Sequence, residues 1–184
     1  MFDTAAARRV RLLGLDVDGV LTDNAIFVGE HEGQRVELKR FDIQDGLGLV
    51  LLRFTSLQVV LVSGRQSSAT ALRAAELRIR DVLQVPGPAK MPALQEILDR
   101  DGIAWEEVAF VGDDLADLPV LRRAGLPIAV ANAVPDVLAA AAVTTTARGG
   151  HGAVREVIEG LLRARGEWDA VLEQYLAGVT AGVR

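Results

Sequence analysis

The stretch from Leu12 to Asp23, LLGLDVDGVLTD, carries an apolar run straight into Asp16 and Asp18, two carboxylates one residue apart. Residues 10–15 (VRLLGL) are nearly continuously apolar, which reads as a strand buried on both faces, as in a parallel sheet. A carboxylate at the end of such a strand is costly to bury unless it is paired or holds a metal. The segment therefore predicts a fold and also a positive group at the strand's carboxyl end.

Four further strands are expected at 58–62, 81–85, 108–112 and 128–131, with a weaker sixth at 143–145. They alternate with amphipathic helix-length segments, so the predicted class is α/β, a doubly wound (Rossmann-like) parallel sheet in one domain spanning 1–184. The helix boundaries are legible. Pro92 opens a helix that Gly102 ends, a helix over 115–124 stops at Gly125, and Val154, Val157, Ile158, Leu161 and Leu162 form a stripe that ends before Gly166. A C-terminal helix and tail over 167–184 carries Trp168, Val171, Leu172, Tyr175 and Leu176 for packing on the domain or on a neighbour. One segment breaks the alternation: residues 25–41, AIFVGEHEGQRVELKRF, read as a β-hairpin insertion around the turn GEHEGQ. An isolated hairpin is marginal in water, so this one should pack on its own domain or on another subunit. Lys39 and Arg40 at its end suit either an edge-strand charge or an intersubunit contact.

Composition narrows the chemistry. With 0 cysteines the chain has no thiolate and no Cys-based zinc site, and 2 histidines leave little for a histidine metal cluster, so any metal is oxygen-bound. A net charge of -5 argues against nucleic acid as a partner. No apolar run approaches the roughly 18 residues that span a bilayer, and no signal-peptide pattern opens the chain, so no membrane partner and a cytoplasmic location are expected.

In an open parallel sheet, ligands bind outside the carboxyl ends of the strands. Asp16 and Asp18 follow the first strand, Ser63-Gly64-Arg65 the second, Lys90 the third, and Asp113, Asp114 and Asp117 the fourth. Carboxylates converging without histidine or cysteine form a hard-oxygen site suited to Mg²⁺. With a lysine and a serine hydroxyl beside it, such a site suits a phosphoryl group. One aspartate can act as nucleophile and a second as proton donor and then base. Asp113, Asp114 and Asp117 also suit N-capping of the helix at 115–124, and both uses are compatible.

DVDGVLTD at 16–23, SGR at 63–65, Lys90 and GDDLAD at 112–117 together resemble the four motifs of the haloacid dehalogenase superfamily. The resemblance implies Asp16 as nucleophile, Asp18 as general acid/base, and Ser63 and Lys90 on the phosphoryl oxygens. It also implies Mg²⁺ held by the Asp16 carboxylate, the Asp18 backbone carbonyl and Asp113, with Asp114 and Asp117 supporting them. The hairpin in place of a cap domain, FDIQDGLGL at 41–49 and GGHGAVREV at 149–157 are similar to a capless subfamily acting on 3-deoxy-D-manno-octulosonate 8-phosphate. That implies a phosphorylated sugar acid as substrate and a homo-oligomer, a tetramer, in which hairpins meet and neighbours complete the site. Asp45, Gly46, Gly64, Arg65 and Arg73 are its implied substrate contacts, and an arginine fork suits a sugar-acid carboxylate. The alternative for Arg65 and Arg73 is an exposed ion-pair role. Gln44, Val50 and His151 depart from the subfamily pattern, and the loop QVPGPAK before Lys90 is about one residue longer than usual. Alternative functions are a phosphatase for a sialic-acid-type nonulosonate 9-phosphate, a noncatalytic oligomerisation module of sugar-nucleotide synthesis, and a phospho-accepting receiver. The receiver is disfavoured because no aspartate follows the third strand.

Overall fold

The computed structural model describes residues 2–86 and 89–180. Positions 87 and 88, within the long QVPGPAK loop, and the tail from 181 lie outside the described residues. Six parallel strands form one sheet: β1 (Leu12–Leu15), β4 (Gln58–Ser63), β5 (Asp81–Gln84), β6 (Val108–Gly112), β7 (Leu126–Ala129) and β8 (Val143–Thr144), in the order β5-β4-β1-β6-β7-β8. The two remaining strands, β2 (Phe27–His31) and β3 (Gln34–Leu38), pair only with each other, as the expected antiparallel hairpin. Its turn residues Glu32 and Gly33 both have positive φ, the two-residue turn whose twist matches that of the strands it joins.

The apolar run at the start of the chain does what its composition requires. All four β1 residues are buried, with β4 on one side and β6 on the other. Gly14 is needed there because a Cβ would lie 2.6 Å from the Phe110 ring of β6. Helices α1 (Thr4–Arg9), α2 (Ile43–Leu51), α3 (Ser68–Glu76), α4 (Lys90–Asp101), α5 (Leu118–Leu121), α6 (Pro135–Ala140), α7 (Ala153–Arg165) and α8 (Trp168–Thr180) complete the fold. The stripe Val154, Val157, Ile158, Leu161 and Leu162 of α7 is fully buried. Gly102 and Gly166 end α4 and α7 in the left-handed conformation, as the sequence predicts. In α8, Trp168 and Val171 pack on this chain while Leu176 is half exposed. No helix among the described residues is long and apolar enough to cross a membrane.

Four expectations need correction. The helix expected to open at Pro92 starts at Lys90, and Pro92 sits in its first turn, where a missing N–H costs no helical hydrogen bond. The strand expected at 128–131 lies at 126–129, because Pro127 is accommodated opposite Phe110 in the ladder although proline is normally kept out of interior strands. The helix expected over 115–124 is a 3₁₀ turn over Leu115–Asp117 followed by the short α5, and Arg122 already caps it. The strand expected from residue 10 starts at Leu12, because Val10 caps α1, whose first turn Asp3 holds through the Ala6 N–H at 2.7 Å.

Candidate active site

Strand order brings the motif loops together, since β1, β4 and β6 are neighbours and Asp16, Ser63 and Asp113 sit at their carboxyl ends. After Asp16 the chain makes a π-type turn over Val17–Leu21, with Gly19 at φ 93. A side chain at position 19 would collide with the Asp113 carboxylate, so glycine serves both the backbone angle and the approach of β6. The loop Gly149-Gly150 closes over the same turn. A Cβ at Gly149 would overlap the Gly19 carbonyl, and the Gly150 N–H donates to the Val20 carbonyl at 3.0 Å.

The positive group that the first strand calls for is Lys90, the buried first residue of α4. Its Nζ donates to Asp16 Oδ1 at 2.7 Å and to Asp117 Oδ1 at 2.8 Å. Asp117 Oδ2 accepts from the N–H groups of Asp113 at 3.0 Å and Asp114 at 3.3 Å. Both Asp117 oxygens are therefore engaged, and the residue acts as a brace between Lys90 and the loop after β6. Asp114 caps the following 3₁₀ turn through the Leu115 N–H at 2.7 Å, the dual use that the sequence allows for this trio.

Oxygens of Asp16, Asp113 and Asp117 lie within 4.8 Å of one another, and all three residues are buried. Burial first, and the charge of Asp117 next, push the Asp16 carboxyl well above the ordinary range, with Lys90 pulling the other way. The same two causes raise Asp113 to about 7. Lys90 is held above its ordinary value because its two carboxylates outweigh the burial that opposes its charge. One ammonium thus faces three acids, and Asp113 Oδ1 is buried with no hydrogen-bond partner among the described residues. An all-oxygen donor set with an orphaned carboxylate oxygen fits a hard divalent cation.

The remaining predicted residues divide. Ser63 is buried, and its hydroxyl is held in its own loop, donating to the Arg65 carbonyl at 3.0 Å and accepting from the Arg65 N–H at 3.2 Å, with Gly64 between them. Arg65 donates to Glu37 of the hairpin at 2.7 Å. Together with Arg35, Gln66, Ser67 and Ser68 these two line a groove of about 460 Å³. Arg73 is not in that groove. It pairs with Glu76 at 2.8 Å, lies 5.8 Å from the Phe41 ring centroid and packs against Gly46, where a Cβ would strike its guanidinium. Asp45 is engaged with α7. Its buried carboxylate accepts from the Arg155 N–H at 2.8 Å and the Gly152 N–H at 3.4 Å, capping the start of α7 from another part of the chain. Burial raises this carboxyl to about 6 against the pull of those N–H donors. A separate groove of about 290 Å³, with Leu52, Leu77 and Arg78 in its walls, lies by the amino ends of β4 and β5, away from the acids.

Two residues take places at the site that the sequence does not show. Asn132, after β7, donates to the Gly19 carbonyl at 3.1 Å and accepts from the Gly149 N–H at 2.6 Å, pinning the two loops together. An asparagine just past a strand on the carboxyl edge of the sheet was the available signal. Lys39 is not a surface charge: its side chain is fully buried and its Nζ lies 2.6 Å from Asp18 Oδ1. A lysine at the end of a hairpin strand gives no sign of that in sequence. Arg40, beside it, donates to the Gly150 carbonyl at 2.8 Å and is half exposed.

A model of the haloacid dehalogenase-like hydrolase family matches residues 82–158. The chain is 42% identical over 172 residues to the 3-deoxy-D-manno-octulosonate 8-phosphate phosphatase of Escherichia coli K12, covering 94% of this chain and 89% of that protein. It belongs to the 3-deoxy-D-manno-octulosonate 8-phosphate phosphatase family. The enzyme of this name from Moraxella catarrhalis, in complex with a magnesium ion, a phosphate ion and a KDO molecule, is 37% identical with a TM-score of 0.87, covering 94% of this chain and 97% of that one. The cobalt-bound deoxy-D-mannose-octulosonate 8-phosphate phosphatase from Haemophilus influenzae is 32% identical, with a TM-score of 0.80 and coverage of 89% and 93%. Membership of this hydrolase family makes the chain a phosphatase acting on a phosphate monoester, and the motifs that carry the resemblance are the ones gathered at the sheet edge.

Proposed function

We propose that this chain hydrolyses 3-deoxy-D-manno-octulosonate 8-phosphate to the free sugar acid and inorganic phosphate, with Mg²⁺ as cofactor and an aspartyl-phosphate intermediate on Asp16. The observation that carries the reading is the buried Asp16 carboxylate, held by Lys90 at the carboxyl end of β1 beside Asp113, in a chain so similar to octulosonate phosphatases. Asp16 attacks phosphorus, and the bond from phosphorus to the sugar oxygen breaks. Asp18 gives its proton to the departing oxygen and then takes one from the water that attacks the acyl phosphate, releasing phosphate and restoring Asp16. Lys90 and Ser63 steady the phosphoryl oxygens, which requires the Ser63 hydroxyl to leave its local turn. The Asp16 and Asp113 carboxylates and the Asp18 carbonyl are the groups that would hold Mg²⁺. When bound, the ion supplies neutralisation of charge on the phosphoryl group. Asp117 braces Lys90 and the Asp113 loop, and Asp114 caps the turn behind them.

For the sugar acid, the groove with Arg35 and Arg65 supports carboxylate recognition. Gly46 and Arg73 act more remotely, by packing α2 against α3. The buried carboxylate of Asp45 favours a role in holding α7 over a substrate contact. Assembly as a tetramer through the hairpin is supported by its apolar face, where Phe27 and Leu38 are 62% and 61% exposed. Phosphate release would be measured across phosphorylated 2-keto-3-deoxy sugar acids, a nonulosonate 9-phosphate and simple sugar phosphates, with and without Mg²⁺. The octulosonate 8-phosphate should give the highest kcat/KM, and only with the metal. Equal rates on simple sugar phosphates, or none on any ester, would overturn the assignment.

A further inference from the structure

Asp18 stands on the π-type turn, and its own loop does not fix its side chain. Its Oδ1 is buried and has no hydrogen-bond partner among the described residues. What faces that oxygen is the Lys39 ammonium at 2.6 Å, a charge contact between the two groups. Lys39 is the residue after β3, so this contact comes from the hairpin. The ammonium is held in turn by a hydrogen bond to Thr70 Oγ1 of α3 at 3.2 Å. Glu37 Oε1 lies 3.9 Å from it, and Glu37 is tied to Arg65 at 2.7 Å. A continuous chain of charged groups therefore runs from the loop after β4, through β3, to Asp18. A lysine whose side chain is 0% exposed has given up its hydration and rotamer freedom for these partners.

We propose that Lys39 is a positioning residue for Asp18: the hairpin, through this ammonium and its Thr70 anchor, holds the Asp18 carboxyl in the orientation from which it protonates the leaving oxygen. The proposal rests on the phosphatase reading above. It gives the insertion a role inside the site as well as at the surface, because a hairpin that shifts against α3 takes Lys39, and with it Asp18, out of place.

The test exploits leaving-group dependence. A poor leaving group such as an alkoxide needs the acid, whereas nitrophenolate departs without it, and kcat/KM reports only the steps up to that departure. Lys39→Met and the wild-type holoenzyme, with Mg²⁺, would be compared on a nitrophenyl phosphate, phenyl phosphate and a simple alkyl phosphate that lacks the sugar acid. The variant should lose roughly 10- to 100-fold on the alkyl ester, part of the 10²- to 10⁴-fold that general acid catalysis contributes, and about 2-fold or less on the nitrophenyl ester. In an Asp18→Asn background the same substitution should cost nothing further on the alkyl ester, since no acid remains to be oriented. A uniform loss across the series, or no loss, would overturn the proposal while leaving the phosphatase reading intact. Failure of the wild-type protein to release phosphate from any ester would overturn both. If Lys39→Met does not fold, Thr70→Val, which removes the anchor in a side chain of similar shape, decides the matter: it should show the same slope on a smaller scale, and a flat response would refute the positioning role.

Discussion

Replacing Lys90 by methionine removes the only ammonium, among the described residues, in contact with two of the three buried acids of the site. Lys90 is 4% exposed and donates at 2.7 Å and 2.8 Å to Asp16 and Asp117, which are 5% and 0% exposed. Breaking a buried pair by deleting one partner costs about 3–5 kcal/mol, because the other charge is left without compensation. With two acids stranded, the upper half of that range is expected. The cost depends on pH in a definite direction. Asp16 is already raised well above the ordinary carboxylate range by burial and by Asp117, and Lys90 is what pulls it back. Without the ammonium its carboxyl rises further, so the acid is neutral and cheaply buried at low pH and costly at high pH. The assay is urea unfolding at pH 5 and pH 8 in chelator, followed by the fluorescence of Trp105 and Trp168. With a slope of about 2 kcal/mol per molar urea, a loss of about 4 kcal/mol moves the midpoint down by about 2 M at pH 8 and by less at pH 5. A midpoint change under about 0.5 M, or a larger change at pH 5 than at pH 8, would refute the view of Lys90 as the counter-charge of a crowded acidic site.

Asp16→Asn should abolish phosphate release while raising stability at pH 8, since it removes a charge that burial and Asp117 disfavour; the same urea experiment reads the sign. For Asp45, the folded carboxyl is raised from the ordinary 3.8 to about 6, worth about 3 kcal/mol at roughly 1.4 kcal/mol per pH unit. Its stabilising contribution is full below about pH 3.8 and is lost as pH rises through about 6, so Asp45→Asn, which keeps an acceptor for the Arg155 N–H, should gain on the wild type between pH 4 and pH 7 in unfolding titrations. If the hairpin forms the proposed tetramer interface, placing glutamate at both Phe27 and Leu38 should give species smaller than the wild type's by light scattering, with the unfolding midpoint little changed because neither side chain is buried in the chain's own core.

The strands were legible because a parallel sheet buried on both faces leaves an unbroken apolar run, and β1, β4 and β6 are such runs. The site was legible for a related reason: parallel strands all end on one edge, so residues far apart in sequence, such as Asp16 and Lys90, could be assigned to one place before their contact at 2.7 Å was known. Sequence was a poorer guide where a side chain answers to tertiary neighbours. Nothing around Asp45 in the sequence marks its carboxylate as the cap of a helix that starts more than 100 residues later. Lys39 reads as an edge-strand charge or an intersubunit contact because nothing local marks it as lying against Asp18. Pro127 concealed the start of β7 because the rule against proline in interior strands is a statement about donors, and the ladder opposite Phe110 tolerates the missing one.

The most direct measurement is to trap the covalent intermediate on Asp16. Wild-type protein turning over octulosonate 8-phosphate with Mg²⁺ would be quenched with borohydride, which reduces an aspartyl phosphate to homoserine, and mapped by tandem mass spectrometry. Homoserine at position 16, absent without substrate and absent in Asp16→Asn, is the predicted result. Steady turnover with Asp16 unmodified, or the mark on Asp18 or Asp113 instead, would contradict the account.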